Sequence, residues 1–204
     1  MKLKINDLKT KNLLKKTKKE FENFFSVKIK EPKIFLYNSR KEINKFFKKE
    51  TPDWLVGWAR DGNIHILCYE KFLEESNHKD REDYWRTLKH ELVHLYFKEK
   101  INDLKPLWLN EGLACFLAGQ NKKTNFKGVK NLKFYYEKNN AYIYNFGFHM
   151  VNSLIVVFGE EKFKSFLDKI ALSKKTINTF NKLFKKEFDI SVFAFWHKIK
   201  NQVE

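Results

Sequence analysis

The stretch "TLKHELVHLYF", residues 87–97, decides the reading of this chain. It places two of the six histidines, His90 and His94, four positions apart, with Glu91 beside the first. Apolar residues surround them at helical spacing. Tyr84, Trp85, Leu88, Leu92, Leu95 and Tyr96 fall on one face of a helix over 82–99. His90 and His94 fall on the opposite side, flanked by Val93 and Phe97, so this helix is expected to be buried on two faces. Positions i and i+4 stack one above the other on a helix, so two imidazoles placed this way can converge on one metal ion. Zinc accepts imidazole nitrogen at about 2.0–2.1 Å. Glu91, rotated by one residue, can reach a water on that ion without being a ligand. Three fixed letters are too short a pattern to be specific alone, so the rest of the chain must supply what such a site needs.

A second stretch, "PLWLNEGLACFLAG" (106–119), is apolar nearly all the way round and should be a buried helix. Glu111 sits in its middle. A buried carboxylate is costly unless it is paired or bound to a cation. Zinc on two histidines needs a third protein ligand, and Glu111 is the candidate. The alternative is a pairing of Glu111 with a lysine from a neighbouring helix. Gly112, with no side chain, is expected to let this helix approach the metal-binding helix closely.

Composition bounds the rest. The 204 residues suit one domain with a core of its own, with two small domains as the alternative; read as one, it has a mixed α/β part over 1–80, the zinc-binding helices over 81–120 and a helical part over 121–204. Phenylalanine alone numbers 21, which argues against disorder. The two cysteines, Cys68 and Cys115, are far apart. That excludes a zinc ribbon or redox dithiol, and both read as small buried hydrophobes. The first 25 residues lack the apolar stretch of a signal peptide, and no run nears the roughly 18 apolar residues of a membrane span. A soluble cytoplasmic protein with no membrane partner is expected; the oligomeric state is not legible. The net charge of +16 invites a nucleic-acid reading, but it comes from 37 Lys and only 4 Arg. Arginine is the usual residue for bidentate phosphate and guanine contacts, so no specific nucleic-acid partner is expected.

Along the chain, residues 5–25 pattern as an amphipathic helix and 26–37 as extended structure interrupted at Pro32. Residues 39–49 read as helix, and 51–70 as two strands joined at Asp61-Gly62-Asn63. Helices are expected at 82–99, 106–118, 139–158, 160–172, 176–186 and 190–202, with Pro106 at a helix start and Gly119 and Gly159 at C′ positions. The fold class is α+β: a small early sheet followed by a mostly helical second half.

At "HELVH" and "WLNEGLA" the chain resembles the gluzincin metallopeptidases, in particular the catalytic core of the aminopeptidase-N type family and its short peptidase MA-like relatives. The interval of 17 positions from His94 to Glu111 is slightly shorter than in the large aminopeptidases. "YNFGFHMVNSLIVVFGEEKF" (144–163) resembles the family's Y-x-x-G segment. The resemblance covers roughly residues 50–200 and implies a thermolysin-like catalytic domain holding one zinc ion on His90, His94 and Glu111. It further implies Glu91 as the general base and Tyr144 as the transition-state stabiliser, with Tyr142 the neighbouring alternative. The strand "NIHIL" (63–67) resembles the family's edge strand, on which an extended peptide adds. His65 in that strand, like His149 and His197, reads as structural. Two departures stand out. The G-x-M-E-N motif that binds a substrate's free amine is missing. Cys115 and Ala118 leave no acid on the Glu111 helix to orient a zinc histidine, so that partner must come from elsewhere or be a backbone carbonyl. The expected activity is zinc-dependent hydrolysis of a peptide or protein substrate at internal bonds; the alternatives are an aminopeptidase and a zinc-binding scaffold without proteolytic activity.

Overall fold

The turn at Asp61-Gly62 organises the sheet. Both residues have positive φ, 51° and 74°, as a two-residue hairpin loop requires. In this computed structural model, which describes residues 8–78, 80–103, 105–120 and 142–201, the turn joins β2 (Gly57–Arg60) to β3 (Asn63–Leu67) as an antiparallel pair. β1 (Ile34–Tyr37) pairs with β3 in parallel, giving the order β1-β3-β2. The strand 63–67 is therefore central, and the expectation that it is an edge is corrected. The hairpin uses one side of β3 for β2. Edge positions fall to β1 and β2 among the described residues.

The described residues are α+β and mostly helical, with nine helices beside this one sheet. The chain divides into two compact units, residues 1–96 and 97–204. The first holds α1 (Leu8–Phe25), the sheet, α2 (Arg40–Phe47), α3 (Tyr69–Glu74) and most of α4 (Arg81–Ile101). The short helix α3 has no counterpart in the sequence reading. Alternation in β3 turns Ile64 and Ile66 into the core and His65 to the other face. Ile66 joins Ile43, Val56, Leu67, Phe72, Tyr84 and Leu88 in one buried cluster, which seats α4 on the sheet. Phe21 and Phe25 anchor α1 on Tyr96, with ring centroids 5.8 Å apart in both pairs.

The loop that leads into β2 is pinned by Arg40. Its guanidinium donates to the carbonyls of Pro52 at 3.1 Å and Asp53 and Glu75 at 3.0 Å, and to that of Leu55. The planar fork of arginine satisfies several carbonyls at once, which a lysine does not.

The second unit contains α5 (Leu107–Leu117), α6 (Tyr142–Phe158), α7 (Glu160–Ala171), α8 (Ile177–Phe188) and α9 (Val192–Asn201). Residues 139–141 of the helix expected over 139–158, and 5–7 of the first, lie outside the described residues. Gly119 occupies C′ of α5 with φ 70°, and the Gly119 and Gln120 amides donate to Phe116 and Cys115 carbonyls, a Schellman closure. Gly159 does double duty: it ends α6 and is the N-cap residue of α7. Phe163, Phe166, Phe180, Phe184 and Phe195 fill the interior of this unit. Both cysteines are buried. No described helix is long and apolar enough to cross a membrane.

Gly112 does allow a close helix approach, but to α6. A Cβ at Gly112 would lie 2.2 Å from the carbonyl carbon and oxygen of Gly147, and one at Gly147 would lie 2.3 Å from the Trp108 carbonyl oxygen. The two glycines remove the side chains that hold helix backbones apart, so α5 and α6 touch backbone to backbone. Substituting either with alanine should cost about 3 kcal/mol or more, because neither backbone can give way. Gly119→Ala, where a Cβ meets open space, should cost only about 1 kcal/mol through its left-handed backbone. Urea unfolding checks this ordering; equal losses at all three positions would contradict it.

Candidate metal centre

α4 is well specified as a helix. Asp80 accepts from the Asp83 amide at 2.8 Å in front of the first turn. Glu82 and Asp83 stand in that turn, and Lys98 and Lys100 in the last. These charges complement the helix dipole. Between Thr87 and Phe97 every residue except Lys89 and His94 is buried, so the helix is covered on two faces, as its pattern requires. His90 and Glu91 are each 6% exposed. The imidazoles of His90 and His94 lie with ring centroids 4.7 Å apart and planes at 89°. His90, Glu91 and His94 each offer a ligand atom, and these atoms all lie within 4.8 Å of one another. That is the one group of three or more such residues among the described residues. Two imidazole nitrogens and a carboxylate oxygen form a donor set suited to zinc.

β2 borders this group. A Cβ on Gly57 would meet the Thr87 Cγ2 at 3.1 Å and the Glu91 Cγ at 3.4 Å, so the first residue of the edge strand runs directly past the Glu91 side chain. Neither Gly57 nor Arg40, which pins the loop before it, figures in the sequence reading. A lone glycine within the strand-like "LVGWAR" is the signal that marks such a close approach.

The other expected site residues lie in the second unit and are not members of this group. Glu111 is 7% exposed, in the middle of the buried run Trp108–Cys115 of α5. Tyr144 is half-buried in α6, one turn before Gly147, whereas Tyr142 at the start of that helix is 44% exposed. The Gly112–Gly147 contact thus joins the helix of Glu111 to the helix of Tyr144.

His65 is occupied structurally. Its ring stacks between Phe35 and Trp58, with centroids at 4.8 and 5.1 Å. Its Nδ1 is 3.1 Å from the Tyr37 hydroxyl, within hydrogen-bond distance. His197 packs on Phe193 at 4.3 Å and His149 on Phe148 at 5.2 Å.

No protein-family model matches the chain, and no curated protein matches it.

Burial, followed by the positive charge of Arg60, pushes the His65 imidazole below its ordinary pKa. The unfolded chain therefore takes up this proton before the folded one does. The neutral ring's contribution is fully present above the unfolded value of about 6.5 and is lost as pH falls below it. The stability difference between wild type and His65→Phe should shift against the wild type from pH 7.5 to pH 5. Urea unfolding across that range checks it; a constant difference would contradict the assignment.

Proposed function

We propose that the chain is a zinc metallopeptidase with a thermolysin-like, gluzincin-type catalytic domain. The observation that carries this reading is the group of His90, Glu91 and His94, converging within 4.8 Å on one helix whose other face is core. Glu111 is the third ligand in this reading. Its support is chemical: a carboxylate in a buried, apolar helix, of the type that completes two imidazoles. When bound, zinc supplies a Lewis acid that lowers the pKa of water towards about 7.

The chain's own residues do the rest. Glu91 takes the proton of the attacking water and returns it to the departing amine. Tyr144 donates a hydrogen bond to the oxyanion that develops on the cleaved carbonyl. The substrate is an extended peptide, added antiparallel along the free edge of β2, which is the edge strand that borders Glu91. This replaces 63–67 as the substrate strand. Gly57, Trp58, Ala59 and Arg60 offer no carboxylate to a free amine, and beside Asp61 in the turn stands the Arg60 guanidinium, 3.3 Å away, whose positive charge opposes a free ammonium there. Cleavage at internal bonds follows from that lack.

Purified protein should carry about one zinc per chain by metal analysis, lost in His90→Ala and His94→Ala. Full zinc in either variant would remove the site.

Glu91→Gln should retain the metal and lose at least about 100-fold in kcat, since only proton transfer is impaired. Tyr144→Phe should lower kcat more than it raises KM, and Tyr142→Phe should not. N-acetylated and free-amine forms of one peptide should be cut equally at an internal bond. Stepwise release from the free form alone would replace this reading with an aminopeptidase. Zinc binding with no Glu91-dependent hydrolysis across a broad peptide library would leave a scaffold.

A further inference from the structure

Two of the chain's four arginines flank β2, the strand that borders Glu91. Arg40 pins the loop before it, as described above. Arg60 is its last residue. It stands on the face of the strand that also carries Trp58, since residues two apart share a face. Its guanidinium lies 5.4 Å from the centre of the Phe46 ring, on α2. That ring in turn packs on Trp58 and His65, at 5.1 and 5.4 Å. The aromatic support fixes the direction of the arginine, while its side chain stays 59% exposed and open to a ligand. Its ion-pair partner among the described residues, Asp61, is itself 82% exposed, so the pair is weak and readily exchanged for another carboxylate.

Direction follows from the strand. β2 runs from Gly57, beside Glu91, to Arg60. A peptide antiparallel to it passes Arg60 first and reaches the Glu91 end afterwards. Its residues near Arg60 are therefore on the N-terminal side of the bond exposed to Glu91. Resting on the peptidase reading, we propose that Arg60 makes the site selective for peptides with an aspartate or glutamate two to four residues before the cleaved bond. Arginine takes a carboxylate in a bidentate, planar pairing, and a basic side chain or a free ammonium at the same place is repelled. The net charge of +16 draws acidic segments to the protein in general. Arg60 converts that general attraction into a position.

The test uses the zinc-loaded full chain and two acetylated, amidated peptides that differ only in Glu or Lys at the upstream position. Cleavage is measured with wild type, and binding by fluorescence anisotropy with Glu91→Gln, which holds substrate without turning it over. The Glu peptide should be favoured about tenfold in both kcat/KM and affinity. In the Arg60→Glu background the preference should reverse, and in Arg60→Lys it should weaken but keep its sign. Lys182→Glu makes the same change in net charge at an exposed position of α8 and should leave the preference intact. Equal handling of the two peptides by wild type, or an unchanged preference in Arg60→Glu, would overturn the proposal. Glu91-dependent cleavage without selectivity would remove Arg60's role and spare the peptidase reading. Selective, Arg60-dependent binding without any cleavage would do the opposite.

Discussion

The constraint on which the rest depends is that α4 is buried on two faces while carrying two imidazoles and a carboxylate on one of them. Charged and polar groups taken out of water must be matched by partners close at hand. A helix used only as a core element would place aliphatic residues at 90, 91 and 94, as it does at Leu88, Leu92 and Leu95. Replacing them with titratable groups costs stability, and such costs concentrate where chemistry is done. The i, i+4 spacing sets the two rings 4.7 Å apart, with the ligand atoms of His90, Glu91 and His94 within 4.8 Å of one another.

A close approach of backbone occurs within each unit. In the first, Gly57 lets the edge strand pass against Thr87 and Glu91 without a side chain between. In the second, Gly112 and Gly147 bring α5 and α6 into backbone contact and fix Glu111 relative to Tyr144. A methyl group at Gly57 would press on Thr87 and Glu91, and one at Gly112 or Gly147 would press the two helix backbones apart. Arg40 extends the same logic, since the loop it ties down delivers Gly57 to its place.

Much of this was legible in the sequence for physical reasons. The 3.6-residue period of 82–99 and the apolar run 106–118 marked both helices to within two residues, and Asp61-Gly62 marked the hairpin. Strand order was not legible. "NIHIL" carries the alternation of a half-buried strand whether it sits at the edge or the centre, and only the pairing of β1 on its far side decides. The partner of Gly112 was equally hidden, because a glycine announces a close approach without naming what approaches. His65 was read as structural from its alternating position, and its stack between Phe35 and Trp58 agrees.

The most direct test of the central claim is anomalous diffraction at the zinc edge from crystals of the zinc-loaded chain. One strong peak is expected, bonded at about 2.0–2.2 Å to a nitrogen of His90, a nitrogen of His94 and a carboxylate oxygen of Glu111, with Glu91 outside the bonding distance. A peak held by the histidines together with Glu91, or one whose third ligand is any residue other than Glu111, would contradict it.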